Sequence, residues 1–160
     1  MHVIFWRHAE ADDIDAASGS AADLQRELTR QGRRDASRMA AWIKAHVPKP
    51  WTVCASPALR TRQTAMALVD YPRDEPALAP GRDVDALLAL IDAARDRDPD
   101  SALVLCGHQP TLGRAALRWL SGCDAEFSVR KGALLWIVER ERDGQAQRTL
   151  RAALAPELVD

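Results

Sequence analysis

Four side chains suited to handling a phosphoryl group stand in three short motifs: Arg7-His8, Ser56-Pro57-Ala58-Leu59-Arg60 and Gly107-His108. A guanidinium is a permanent planar cation whose fork of N–H donors matches phosphate oxygens. A neutral imidazole is a good nucleophile near pH 7, and a second one can donate to an oxygen whose charge grows in a transition state. Such a set can carry a phosphoryl group on one histidine and release it to water, and that chemistry requires neither a metal nor a cofactor.

Singly, these motifs are cheap, since Arg-His and Gly-His pairs arise from composition alone. Their positions give them weight. Val3-Ile4-Phe5-Trp6, Trp51-Thr52-Val53-Cys54-Ala55, Leu103-Val104-Leu105-Cys106 and Leu134-Leu135-Trp136-Ile137-Val138 are short, continuously apolar and rich in strand formers. Continuous rather than alternating hydrophobicity implies strands covered on both faces, as in a parallel sheet of an α/β domain. The first three runs end where the three motifs begin. In an open α/β sheet ligands bind beyond the carboxyl ends of the strands, so Arg7, His8, Arg60 and His108 are expected to converge there.

Helical patterns alternate with these strands. Thr29 opens one that carries Ala36, Met39, Ala40, Ile43 and Val47 on a single stripe and stops before Pro48. Ser56 as cap and Pro57 in the first turn predict a second, running to about Val69. Val84, Leu87, Leu88 and Ile91 mark a third. Leu112, Ala115, Ala116, Trp119 and Leu120 mark a fourth, entered through Pro110 and ending near Gly122. Asp143-Gly144 signals a hairpin leading to a last strand that ends at Leu154. The polar stretch from Glu10 to Leu28 is the one long loop candidate, and long loops are often functional.

The whole chain bounds what this chemistry can serve. Its 160 residues, 47% hydrophobic, suit one domain spanning 1–160 with a single core. With 22 basic and 23 acidic side chains the formal net charge is -1, which offers no general footprint for nucleic acid or an anionic membrane. Apolar runs reach six residues at most, far below the roughly 20 of a membrane span. No signal-peptide pattern precedes Arg7, and Cys54, Cys106 and Cys123 form no C-x-x-C pair, so reduced thiols and a cytoplasmic location are expected. Cys54 and Cys106 read as core residues. Glu10, Asp12, Asp13 and Asp15 lack the spacing of a calcium loop and read as a solvated segment that tunes His8 or the substrate. His2 starts a strand and His46 ends a helix, and both read as structural. A serine hydrolase elbow, a Walker A loop and G-x-G-x-x-G are all absent.

Arg7-His8-Ala9-Glu10, Leu28-Thr29-x-x-Gly32, Ser56-Pro57-x-x-Arg60-x-x-Gln63-Thr64 and Gly107-His108 resemble, in order and spacing, the histidine phosphatase superfamily, also called phosphoglycerate mutase-like. In length and pattern the chain is most similar to its phosphohistidine phosphatase, SixA-type, branch. The resemblance implies a three-layer αβα sandwich on a mostly parallel sheet. It also implies a phosphatase with His8 as nucleophile, Arg7 and Arg60 as phosphoryl ligands and His108 as the group stabilising developing charge. The implied partner is a phosphohistidine-containing protein, either a phosphotransfer domain or a phosphocarrier, with phosphate as product.

Two departures qualify the match. Ala9 stands where the superfamily usually has glycine, which leaves the catalytic side chains in place. The region in which many relatives carry a Glu or Asp general acid is short here, Tyr71 to Gly81, and the prolines at 72 and 76 around Arg73, Asp74 and Glu75 suggest a solvated turn. An alkoxide leaving group needs that proton, whereas imidazole leaving a phosphoramidate does so far more readily, so the shortness points to phosphohistidine. The alternatives are a small-molecule phosphomonoesterase with Glu75, Asp74 or Glu10 as the acid, and a non-catalytic module that binds phosphate or phosphohistidine. A mutase is least favoured, since there is little room for enclosing insertions.

Overall fold

The computed structural model describes residues 1–15 and 19–159. Six strands, β1 (His2–Arg7), β2 (Trp51–Ala55), β3 (Arg73–Asp74), β4 (Ala102–Gly107), β5 (Leu134–Arg142) and β6 (Gln145–Leu154), form one sheet in the order β3-β2-β4-β1-β5-β6. β1 to β4 run parallel, while β5 pairs antiparallel with β1 and with β6. The sheet is therefore mostly parallel, as expected. The helices are α1 (Gly19–Leu24), α2 (Arg30–His46), α3 (Leu59–Met66), α4 (Val84–Arg97) and α5 (Thr111–Ser121).

Strand pleating sorts the core into two halves. Ile4 and Trp6 of β1 join Val53, Val104, Trp136 and the apolar stripe of α2, Ala36, Met39, Ala40 and Ile43. Val3 and Phe5 point the other way, to Leu105, Ile137, Leu87 and Ile91 of α4, and Leu112 and Ala116 of α5. Helices thus cover both faces of the sheet, giving the three layers, and the continuously apolar reading of β1 and β4 follows from that double cover. Asp143 and Gly144 both take positive φ, 53° and 74°, at the tip of the β5–β6 hairpin, as the tight turn requires.

Three local expectations need correction. The helix after β2 is shorter than its sequence suggests, Leu59–Met66, and its N-cap is Ala58, with no side-chain cap. The reason is that Ser56 still belongs to the sheet edge: its N–H donates to Cys106 O at 3.1 Å. At the far end, Leu68 donates to Ala65 O and the helix tightens into a turn before Val69. The long-loop candidate is not structureless, for it contains α1 and closes on itself through an antiparallel bridge between Ala11 and Leu28; residues 16–18 of it lie outside the described residues. Finally, Arg73–Asp74, expected as a solvated turn, pairs with Cys54 and Ala55 as a two-residue edge strand, too short to leave a periodic trace.

Candidate active site

The ends of three parallel strands assemble one cluster. β1 and β4 are neighbours in register, with Arg7 opposite Gly107, and the ladder continues one step further because His8 N–H donates to Gly107 O at 3.1 Å. β2 lies on the other side of β4, where the Ser56 backbone bond to Cys106 O sets Ser56 beside His108. The His8 and His108 rings come together with centroids 5.1 Å apart. Both are only 6% exposed.

Hydrogen bonds fix how each ring presents its nitrogens. His8 Nδ1 lies 2.8 Å from Ala9 O. A carbonyl oxygen only accepts, so Nδ1 carries the proton and the neutral ring keeps a lone pair on Nε2. His108 Nε2 lies 2.9 Å from Ser56 Oγ. That hydroxyl is fully buried and already accepts from Ala58 N–H at 3.2 Å; the remaining use of its proton is donation to His108 Nε2, which leaves Nδ1–H as the free donor of His108. Ser56, expected only as a helix cap, is thus a tautomer-setting partner of His108, a role invisible in sequence because the two residues are 52 positions apart.

Burial pushes His8 down to about 4, and the charges of Arg60, Arg7 and Arg26 act in the same direction, against the opposing bond to Ala9 O. His108 is pushed to about 3, again first by burial and then by His8 and Arg60. Both rings are therefore neutral at physiological pH. Since both folded values lie below the ordinary 6.5, the stability these rings contribute is complete above that pH and is lost as pH falls through the folded values. An NMR titration of the ligand-free protein should show neither imidazole charging until below pH 5, whereas Tm should already decline as pH falls from about 6.5 toward the folded values. Titration of either ring near 6.5 would contradict this burial.

The two arginines are anchored differently. Arg7 Nη1 donates to Val129 O at 2.6 Å, and Gln109 holds the same segment through Phe127 O at 3.0 Å. Arg60, 4% exposed, donates to Asp23 twice, from Nη1 to its backbone carbonyl at 2.5 Å and from Nη2 to Oδ2 at 2.9 Å. Asp23 Oδ1 accepts in turn from Arg26 at 3.0 Å. Arg7 Nε and Arg60 Nε are buried with no hydrogen-bond partner among the described residues. Orphan donors of this kind are costly and uncommon, and a ligand oxyanion is a natural acceptor.

The carboxylates considered from sequence are otherwise engaged. Glu10 Oε2 accepts from the Thr29 hydroxyl at 2.8 Å. Glu75 Oε1 accepts from Ala77 N–H in a short turn over Pro76–Leu78, and Asp74 pairs with Arg62 at 3.3 Å. His2 accepts from Trp136 Nε1, and His46 stacks on Trp42 at the end of α2. Cys54 and Cys106 are buried and their thiols are raised by burial, Cys54 to about 11. Among the described residues no three His, Cys, Asp or Glu side chains gather as a metal site. A cleft of about 450 Å³ between α2 and α3, lined by Leu28, Leu59, Gln63 and Met66, contains none of the four candidate residues. Asp23 and Arg26 were not singled out from sequence; they lie in a polar stretch where nothing but the fold distinguishes one carboxylate from another.

A doubly covered, mostly parallel sheet with paired histidines and arginines at its carboxyl edge defines a class of phosphoryl-handling α/β enzyme. Residues 3–81 match the model of the histidine phosphatase superfamily (branch 1). The chain is 33% identical over 119 residues to phosphohistidine phosphatase SixA of Escherichia coli K12, covering 71% of this chain and 70% of that protein. It is 34% identical over 121 residues to an uncharacterised protein of Picosynechococcus, 72% and 71% of the two chains. Its fold superposes on the structure of the protein histidine phosphatase SixA complexed with tungstate with a TM-score of 0.80, at 26% identity and 99% coverage of both chains. The chain belongs to the histidine phosphatase superfamily, in its SixA-type branch, and has the phosphoglycerate mutase-like fold. It is a phosphatase. No helix among the described residues is long and apolar enough to cross a membrane.

Proposed function

We propose that the protein removes the phosphoryl group from phosphohistidine in a partner protein, through a phosphohistidine intermediate on His8. The observation that carries this reading is the pair of adjacent neutral imidazoles, one with Nε2 unprotonated, within the electrostatic reach of two arginines whose buried Nε donors lack partners among the described residues. His8 Nε2 attacks phosphorus and the P–N bond to the substrate imidazole breaks, that ring departing neutral when its other nitrogen carries a proton. Water then attacks phosphorus, the bond to His8 Nε2 breaks, and inorganic phosphate leaves. Arg7 and Arg60 hold the phosphoryl oxygens, and His108 Nδ1–H donates to the oxygen on which charge builds.

The engaged carboxylates favour this substrate over a phosphate ester. Glu10, Asp74 and Glu75 each accept a hydrogen bond or an ion pair. Asp23 is raised by burial, but its bonds and pairing with Arg60 and Arg26 outweigh that and hold it below the usual carboxylate range. None of these four is poised to give a proton to an alkoxide, whereas imidazole leaves without that help. The relatives named SixA support the same reading. The partner fits a phosphotransfer domain or phosphocarrier, and the cytoplasm is the proposed compartment.

A substrate panel tests this directly. The protein should dephosphorylate a histidine-phosphorylated phosphotransfer domain at least about 100-fold faster, in kcat/KM, than sugar phosphates, a ratio of the size that loss of a needed general acid produces. EDTA should leave the rate unchanged. Faster hydrolysis of a sugar phosphate, with its pH dependence abolished in Glu75→Gln, would establish a phosphomonoesterase instead, and phosphate binding without any turnover would establish a binding module.

A further inference from the structure

Asp23 meets Arg60 across 37 positions of sequence and contacts it twice, through its backbone carbonyl and through its carboxylate. We infer that Asp23 is a positioning residue for the phosphoryl site, gripping one edge of the Arg60 guanidinium so that its other donors are held where substrate oxygens bind. The inference rests on the reading of Arg60 as a phosphoryl ligand.

The donor count makes the case. A guanidinium has five N–H donors; two of those of Arg60 go to Asp23, and Nε has no partner among the described residues. Arg60 is only 4% exposed, so water cannot take over the work of Asp23 in fixing the plane of the group. Asp23 is itself tethered, because its second carboxylate oxygen accepts from Arg26, whose Nε donates to Asp12 O at 2.7 Å. The clamp therefore ties α1 and the strand-exit segment near Asp12 to the N-terminal turn of α3. Among the described residues, neither Arg7, bonded to Val129 O, nor His108, bonded to Ser56, has a comparable carboxylate.

A carboxylate near an anion site also repels the anion, so the sign of its effect has to be decided. Both oxygens of Asp23 are paired with guanidiniums and its side chain is 33% exposed, which neutralises and screens its field at the phosphoryl position. Its contact with Arg60, by contrast, is direct and buried on the arginine side. Orientation of Arg60 is the larger effect, and loss of Asp23 weakens anion binding rather than strengthening it.

Inorganic phosphate binding, measured by isothermal titration calorimetry on the full chain, tests this without relying on turnover. Asp23→Ala should weaken binding about tenfold in the native background and less than about twofold in an Arg60→Ala background, the non-additivity expected of residues that act as a unit. Asp23→Asn, which keeps an oxygen acceptor for Arg60, should recover part of the loss, as a purely fold-stabilising role would not require. Equal losses in both backgrounds, no loss, or tighter binding in Asp23→Ala would overturn the inference. If Arg60→Ala alone left phosphate affinity unchanged, the reading of Arg60 as a ligand would be at fault instead. Circular dichroism of each variant, together with Asp23→Asn, keeps a folding defect from imitating the result.

Discussion

His8→Ala should lose turnover and phosphoenzyme formation together, with kcat/KM falling by at least about 10³-fold, as for removal of other covalent nucleophiles. The argument is geometric. His8 follows β1 directly, its main chain is bonded to Gly107 on one side and, through its carbonyl, to Gly132 N–H at 2.9 Å on the other, and its ring is turned by Ala9 O so that Nε2 is free. No other described nucleophile is presented in this way: Cys54 and Cys106 are buried with raised thiols, Ser56 spends its hydroxyl on His108 and Ala58 N–H, and His108 has Nε2 engaged. Incubation with a radiolabelled phosphorylated phosphotransfer domain should trap an acid-labile, base-stable phosphoenzyme in the native protein and none in the variant. Because Arg7, Arg60 and His108 survive the change, inorganic phosphate should still bind the variant within about tenfold of native affinity, consistent with loss of one neutral contact. A variant that retained the phosphoenzyme would move the nucleophile elsewhere.

What sequence can reveal about such a site depends on how local the determinants are. The runs ending at Trp6, Ala55 and Cys106 expose both the sheet and the position of its carboxyl edge, because burial on both faces writes continuous hydrophobicity into consecutive residues. Motifs placed directly after those runs inherit their location, which is why the grouping of Arg7, His8, Arg60 and His108 is legible in the sequence. The partners that orient them are of another kind. Ser56 to His108, Asp23 to Arg60 and Gln109 to the segment beside Arg7 are contacts between residues 52, 37 and 18 to 20 positions apart, and no periodicity marks them. Ser56 is instructive because a local rule pointed to a cap; the hydroxyl does accept from Ala58 N–H, but it does so from the strand side, before the helix begins. α1 was missed because Gly19–Leu24 buries no residue, so it lacks the apolar stripe by which α2 and α5 announce themselves.

Gly32→Ala should be among the most damaging of the small substitutions outside the reacting groups, and it shows what the Leu28-Thr29-x-x-Gly32 motif does. A Cβ at Gly32 would lie 2.0 Å from the carbonyl oxygen of Glu10 and 2.9 Å from its carbon, so main chain rather than a flexible side chain must yield. That carbonyl is already fixed, accepting from Thr29 N–H at 3.1 Å, while the Thr29 hydroxyl donates to the Glu10 carboxylate and accepts from Gly32 N–H at 2.9 Å. The N-terminus of α2 thus holds Glu10 by backbone and side chain at once, two residues beyond His8. Overpacking against backbone here should cost about 3 kcal/mol or more, a fall in Tm of roughly 6–12 °C for a chain of this size. Thr29→Ala, which removes only the cap and its bond to Glu10, should cost nearer 1 kcal/mol. The displacement of Glu10 is transmitted through Ala9, whose carbonyl sets the His8 tautomer and whose N–H donates to Thr64 Oγ1 at 3.0 Å. Folded Gly32→Ala protein should therefore also show kcat/KM reduced about tenfold or more, since small misplacements of a reacting group are expensive. Thermal melts and steady-state rates on the two variants separate the effects; a Gly32→Ala protein with native Tm would mean that α2 can back away from Glu10, and that the motif is a helix cap rather than a brace for the nucleophile.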